Sequence, residues 1–134
     1  MIQTEISTIV RYSEVDQMKI VYHSHYYEYF EIGRIDWINK NMISYIEIEK
    51  NNNIGMSVIE SFAKFILPSK LGDQIKIITI VSEKPTAFIK FDYELYVDEY
   101  LITTGYTKNV FVNLNNMKIC RPHSLSNIFD LLFR

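Results

Sequence analysis

The sequence predicts an α+β fold in which an antiparallel sheet lies against one principal helix. Three observations carry this. A long stretch of helical spacing lies near the N-terminus, most of the remainder changes to a two-residue period, and the alternating runs are separated by tight turns. Residues 4 to 12 alternate loosely, with Ile6, Thr8, Ile9 and Val10, and predict a first strand ending near Tyr12. An irregular stretch follows from Ser13 to about Tyr22. From Ser24 to about Lys40 the spacing is helical, with Tyr26, Phe30, Gly33 and Trp37 on one face and Ser24 as the expected N-cap. Gly33 in mid-helix costs about 1 kcal/mol relative to alanine, so it implies close approach to another element. Ser44 and Glu47 have the spacing of a capping box and predict a short helix over 44–50, ended by Asn51, Asn52 and Asn53.

The period then becomes two. Residues 56 to 66 place Met56, Val58, Phe62 and Ile66 on one face, together with Glu60 and Lys64. Leu71-Gly72-Asp73 reads as a turn into a strand from Gln74 to Ser82, and Glu83-Lys84-Pro85 as the next turn. The clearest alternation runs from 86 to 97, with Ala87, Ile89, Phe91, Tyr93, Leu95 and Val97 on one side. Another strand is expected over 101–112, and the turn Asn113 to Asn116 leads into a short one at Met117 to Cys120. Ser124 is the expected cap of a terminal helix reaching Phe133. One sheet with one long helix leaves a sheet face or edge poorly covered, and self-association would cover it.

With 134 residues and no linker, repeat or low-complexity tract, residues 1–134 are expected to form one domain. The net charge of -2 gives no footprint for nucleic acid, which calls for clustered Lys and Arg. A lone cysteine, Cys120, excludes an internal disulfide and fits a reducing compartment. No run approaches the ~20 apolar residues of a membrane span. The start, MIQTEISTIVR, has neither a basic beginning nor a signal-like apolar run, so the expected location is cytoplasmic. Ten Tyr and eight Phe point either to a flat aromatic pocket or to surfaces buried between subunits.

The sequence contains no G-x-S-x-G elbow, Walker loop, G-x-G-x-x-G or H-E-x-x-H, which removes the serine hydrolase, NTPase, dehydrogenase and zincin readings. The chemistry concentrates in Arg11 to Arg34, RYSEVDQMKIVYHSHYYEYFEIGR. The start of the helix near Tyr22 to His25 offers unpaired N–H groups and a positive dipole end, suited to an oxyanion. Asp16, on the preceding loop, can serve as general base or nucleophile. A carboxylate is a weak base, and a thioester is electrophilic enough to suit it. Alone, Asp16 would be an ordinary loop aspartate. His23 and His25 form an H-x-H pair without the third ligand a metal site needs. Glu60, among apolar residues, is a candidate second acid, although an edge or solvent-facing position explains it as well.

Arg11-Tyr12-x-Glu14-x-Asp16, Val21-Tyr22-His23-Ser24-x-Tyr26 and Tyr29-Phe30-Glu31-x-Gly33-Arg34 together resemble the signature of 4-hydroxybenzoyl-CoA thioesterase-like hotdog proteins. The resemblance continues through Ser44-Tyr45, Val58-Ile59-Glu60, Leu71-Gly72-Asp73 and Thr104-Gly105-Tyr106-Thr107 to Arg121-Pro122. It implies a hotdog fold, a sheet wrapped around the long helix, and a thioester hydrolase acting on an acyl-CoA or acyl carrier protein thioester. It further implies homodimers with active sites between subunits, for which a dimer of dimers, a homotetramer, is expected. By the same resemblance Asp16 is the catalytic carboxylate and the His23 backbone N–H polarises the carbonyl. Tyr22 and the His23 side chain line the site, and Gly55, Met56, Ser57 and Val58 contribute to the acyl pocket. No metal and no bound cofactor are implied, coenzyme A being part of the substrate. The pattern has glycine where this chain has Lys19; if that position needs a positive φ, Lys19 must strain or reshape the loop. His25 stands where the pattern often has Asn or Ala. A non-catalytic hotdog module that binds acyl groups or scaffolds an assembly is the competing reading. A hydro-lyase would need an Asp and His pair along a helix, and no such spacing occurs.

Overall fold

The computed structural model describes all residues, 1–134. Strand β1 (Ile2–Ile9) runs through an irregular segment with two 3-10 turns, Tyr12–Glu14 and His23–His25, into helix α1 (Tyr26–Asn41) and the short helix α2 (Tyr45–Lys50). Strands β2 (Ile54–Phe65), β3 (Gln74–Val81), β4 (Phe88–Val97), β5 (Tyr100–Asn113) and β6 (Lys118–Ile119) follow, and after a 3-10 turn at His123–Leu125 the chain ends in helix α3 (Ser126–Leu132). All pairings are antiparallel, in the order β1-β3-β4-β5-β2, with β6 on the end of β5. β3, β4 and β5 form a meander, whereas β1 and β2 occupy opposite edges. The segment joining those edges is therefore carried across the sheet by α1. No helix is long and apolar enough to cross a membrane.

The sheet curls around α1, which touches four strands in turn. Trp37 Nε1 donates to the Ile2 carbonyl of β1 at 3.1 Å. Gly33 lies on β3, where a Cβ would collide with Thr79 Oγ1 and come within 2.7 Å of Ile77. Phe30 stacks on Tyr93 of β4 at 4.3 Å between ring centroids, and a Cβ on Gly105 of β5 would sit 2.6 Å from the Phe30 ring. The close approach inferred from Gly33 is thus real. The two glycines let a helix bearing Phe, Trp and Tyr lie flat on a concave sheet. Buried Ile75, Ile77, Phe91, Tyr93 and Leu95 complete the core by strict alternation.

Several element ends differ from the sequence expectation. The first strand stops at Ile9, because the Arg11–Glu14 interactions fold the next residues into a 3-10 turn. Ser24 lies inside the second 3-10 turn, which feeds directly into α1, and its hydroxyl caps nothing. Ser44 marks the start of α2, yet the side-chain cap there comes from Asn39, whose Oδ1 accepts the Tyr45 N–H at 2.9 Å. Ser124 does not cap α3; its hydroxyl accepts from Asn52 instead.

The largest difference is in β2. Val58 pairs with Asn109 and Glu60 with Lys108, so Ile59 is the extra residue of a β-bulge. Side-chain alternation is reset there: Met56 and Val58 face α1 with Ser61, Ala63 and Phe65, whereas Glu60, Phe62 and Lys64 face the other way. The mixed face read from the sequence does not exist. Glu60 accepts the Tyr106 hydroxyl at 2.5 Å on the convex side and belongs to no site near Asp16. β2 leaves one of the two sheet edges unpaired, with Val58, Ile59, Phe62 and Phe65 all substantially exposed.

Candidate active site

The segment carrying Asp16 is built on a buried carboxylate. Glu14, 4% exposed, accepts the Arg11 N–H at 2.9 Å and the Arg11 guanidinium at 3.1 Å, closing the turn Tyr12–Glu14. It also accepts the Tyr29 hydroxyl from α1 at 3.0 Å. Burial alone would raise the Glu14 carboxyl; the Arg11 N–H, the Tyr29 hydroxyl and the Arg11 guanidinium together hold it below the usual range. Burial and the Glu14 carboxylate push the Tyr29 hydroxyl upward. The chain then forms a narrow hairpin, with Val15 opposite Val21 and the Tyr22 N–H on the Glu14 carbonyl at 3.0 Å.

Asp16 to Ile20 is the tip of that hairpin. Asp16 N–H donates to the Ile20 carbonyl at 2.9 Å, and Asp16 Oδ1 accepts the N–H groups of Met18 at 2.8 Å and Ile20 at 3.4 Å. One carboxylate oxygen is therefore fixed, and Oδ2 remains free at a half-buried position. Lys19 has φ +64°. The loop thus keeps the left-handed turn that glycine favours, at a cost of about 1–2 kcal/mol for a side chain. Lys19 Nζ donates to the Tyr12 hydroxyl at 2.9 Å and lies 4.3 Å from the centre of the Tyr12 ring. From the other side the β2–β3 connection props the hairpin: Val21 N–H donates to Ser69, Leu71 N–H to Lys19, and the Tyr26 and Ser69 hydroxyls share a 2.8 Å bond.

Beyond the hairpin, Tyr22 and His23 are exposed and their rings lie 4.4 Å apart. The first bonded N–H of the 3-10 turn is that of His25, to the Tyr22 carbonyl at 3.0 Å, so the His23 and Ser24 N–H groups stand free before it. Ile20, Val21, His23, Tyr26, Phe65 and Ile66 line a mainly apolar recess of about 330 Å³ beside them. His25 instead pairs with Glu28 at 3.1 Å, so the H-x-H histidines serve different neighbours. No three His, Cys, Asp or Glu side chains are grouped closely enough to share a metal ion.

Gly55 to Val58 lie elsewhere. Met56 and Val58 line a second cavity of about 250 Å³, between β2 and the middle of α1, with Glu31, Arg34, Tyr45 and Asn109. Ser57 points to the opposite face, and Gly55 is closed off by Leu114 and Val112. Phe65, on the recess beside His23, is nine residues from Met56 along an extended strand, or ~30 Å. Within one chain the two groups are at opposite ends of β2. The sequence reading did not single out the Glu14–Tyr29 bond, although the Arg11–Glu14 spacing was a local signal for it. Phe65 left no signal, because an apolar strand residue gains its place here only from tertiary packing.

A family model described as the thioesterase-like superfamily matches residues 10–126, from the end of β1 into α3. The chain belongs to that superfamily. It is a thioester hydrolase with the hotdog fold, as the resemblance of its motifs implied. This thioesterase is similar to the acyl-CoA thioesterase YbgC of Haemophilus influenzae, 25% identical over 109 residues that span 81% of this chain and 80% of the relative. It is 31% identical to the acyl-CoA thioesterase YbgC of Helicobacter pylori over 88 residues, 65% of this chain and 62% of the relative. Among solved structures, the DHNA-CoA thioesterase from Staphylococcus aureus superposes with a TM-score of 0.91 at 25% identity, covering 98% of this chain and 91% of the other.

Proposed function

We propose that this thioesterase hydrolyses acyl-CoA with Asp16 as its catalytic carboxylate. The observation that carries the reading is the hairpin tip, where Asp16 Oδ1 is fixed by two backbone N–H groups while Oδ2 is free. A carboxylate held in this way needs no reorganisation to take a proton from water or to attack the thioester carbonyl itself. The free His23 N–H, at the positive end of the helix dipole, stabilises the oxyanion that forms in either case. Tyr22 and the His23 ring shape the entrance. Coenzyme A enters as part of the substrate, and the reaction calls on no metal and no bound cofactor.

The active unit in this reading is a homodimer. A second copy pairing its β2 antiparallel to the first, about an axis near the middle of the strand, covers the exposed edge. It also brings Met56 and Val58 of one chain to the Phe65 end of the other, which unites the two halves of the site. Pairing of such dimers gives a homotetramer. The cytoplasm, where Cys120 stays reduced, is the proposed location. The competing non-catalytic module drew its support from a loop reshaped by Lys19, and Lys19 instead keeps the left-handed turn.

The test is thiol release from a panel of short, long and aromatic acyl-CoAs and an acyl carrier protein thioester. Acyl-CoA turnover by the native protein, lost in Asp16→Asn, is expected. Undiminished turnover in that variant would falsify the assignment, and exclusive use of the carrier-protein thioester would replace the substrate.

A further inference from the structure

The two arms of the hairpin that carries Asp16 are held from different sides. The return arm is held by the β2–β3 connection, through the Val21 N–H on the Ser69 carbonyl at 2.9 Å and the Leu71 N–H on the Lys19 carbonyl at 3.1 Å. The outgoing arm is fastened by Glu14, whose two carboxylate oxygens have different partners. Oε1 accepts the Arg11 N–H at 2.9 Å and the Tyr29 hydroxyl at 3.0 Å, and so joins the base of the hairpin to α1. Oε2 accepts the Arg11 guanidinium at 3.1 Å, and the Arg11 side chain is 72% exposed. The Glu14 carbonyl accepts the Tyr22 N–H at 3.0 Å, one residue before His23. One residue is thus bonded to the turn before Asp16, to the segment before His23 and to the helix after it.

Stability alone does not call for this arrangement. Glu14 and Tyr29 are both buried, and a buried carboxylate with its partners commonly stabilises a fold no more than apolar side chains of the same volume. Hydrogen bonds to a carboxylate supply direction as well, because they are short and hold their partners in place. The Tyr29 ring packs edge-on against Tyr26, with 5.7 Å between ring centroids, so its hydroxyl is a fixed point on the helix.

We propose that Glu14 is a positioning residue for thioester hydrolysis, its Oε1 setting where the hairpin tip that bears Asp16 stands relative to the His23 N–H. This rests on the reading of Asp16 as the catalytic carboxylate. Asp16 Oδ1 is already tied to the Met18 and Ile20 N–H groups, so the motion that displaces the free Oδ2 is a hinge at the base of the hairpin. A displacement of about 1 Å is enough to slow a reaction about a hundredfold.

The experiment separates the two oxygens. Glu14→Gln keeps a carbonyl oxygen for the Arg11 N–H and the Tyr29 hydroxyl and gives up the guanidinium, which is free to turn into water. Tyr29→Phe keeps the ring and the Glu14–Arg11 bonds but removes the tie to α1. Val81→Ala, at the end of β3 farthest from the Asp73 turn, is a control that loses buried apolar volume away from the hairpin. For each variant kcat and KM are measured on an acyl-CoA that the native protein hydrolyses, beside the melting temperature. Tyr29→Phe is expected to lower kcat about tenfold or more with little change in KM. Glu14→Gln and Val81→Ala, although less stable, should keep kcat within about threefold. In an Asp16→Asn background Tyr29→Phe should cost little further, because no carboxylate remains to be placed. A native kcat in Tyr29→Phe, a kcat that follows melting temperature across the three variants, or an equal further loss in the Asp16→Asn background would each overturn the role. Undiminished turnover in Asp16→Asn overturns the catalytic reading and the positioning role with it. Lost turnover in Asp16→Asn beside a native kcat in Tyr29→Phe removes the positioning role alone.

Discussion

The Tyr29 hydroxyl donates to Glu14 Oε1 at 3.0 Å, fastening a carboxylate two residues before Asp16 to the first turn of α1. A buried hydrogen bond thus ties the proposed catalytic loop to the helix that follows His23. Because the native Glu14 carboxyl lies below its usual 4.5, its contribution to stability is fully present above about pH 4.5. That contribution is lost as the pH falls through the lowered native value. Glu14→Gln should cost about 1–3 kcal/mol near neutrality. Thermal melts from pH 6 to 3 should show a steeper acid-side fall in the native protein than in the variant.

Asp16→Asn retains an acceptor at Oδ1 for the Met18 and Ile20 N–H groups, so the hairpin should persist. Turnover should fall by about 10²–10⁴ while the melting temperature changes little. Steady-state kinetics beside a melting curve distinguishes this from simple unfolding.

Lys19 should tolerate glycine better than a branched residue. Lys19→Gly keeps φ positive and relieves the left-handed cost, but gives up the Tyr12 contact and gains unfolded-state freedom, for a net change within about 1 kcal/mol. Lys19→Val cannot sit comfortably at φ +64° and should lower both stability and kcat. Equal kinetics for the two variants would show that the turn is not what holds Asp16.

Gly33→Ala improves helix propensity by about 1 kcal/mol on paper. Thr79 and Ile77 leave no room for the methyl, so overpacking of about 1–3 kcal/mol should dominate and chemical denaturation should show a net loss.

If the proposed dimer forms through β2, charges on that edge should separate its subunits. Ile59→Lys with Phe62→Lys places two cations on β2, and sedimentation should shift to the mass of one chain. Most turnover should disappear with the dimer, although the hairpin carrying Asp16 is untouched.

Much of this architecture was legible in the sequence because it depends on local spacing. The helix face of Tyr26, Phe30, Gly33 and Trp37, the turn at Leu71-Gly72-Asp73 and the alternation around Phe91 each announce themselves within a dozen residues. Motif resemblance then singled out Asp16 and His23. What could not be read is what tertiary packing decides. Ser24, Ser44 and Ser124 each marked a helix start, but the chain supplied Asn39 or no side chain as the cap. The reset at Ile59 has no sequence signal, since a bulge adds a residue without changing its type. The cavity lined by Arg34 and Asn109 joins a helix to a strand 75 positions later, and nothing local connects them.

The bulge at Ile59 also bears on what the exposed β2 edge can pair with. A long, straight, greasy edge would accept almost any extended peptide and seed fibrils. By inserting one residue into β2, the bulge denies a foreign strand a continuous register along its length. The same irregularity that hid this strand from pattern reading thus guards its exposed edge against indiscriminate pairing.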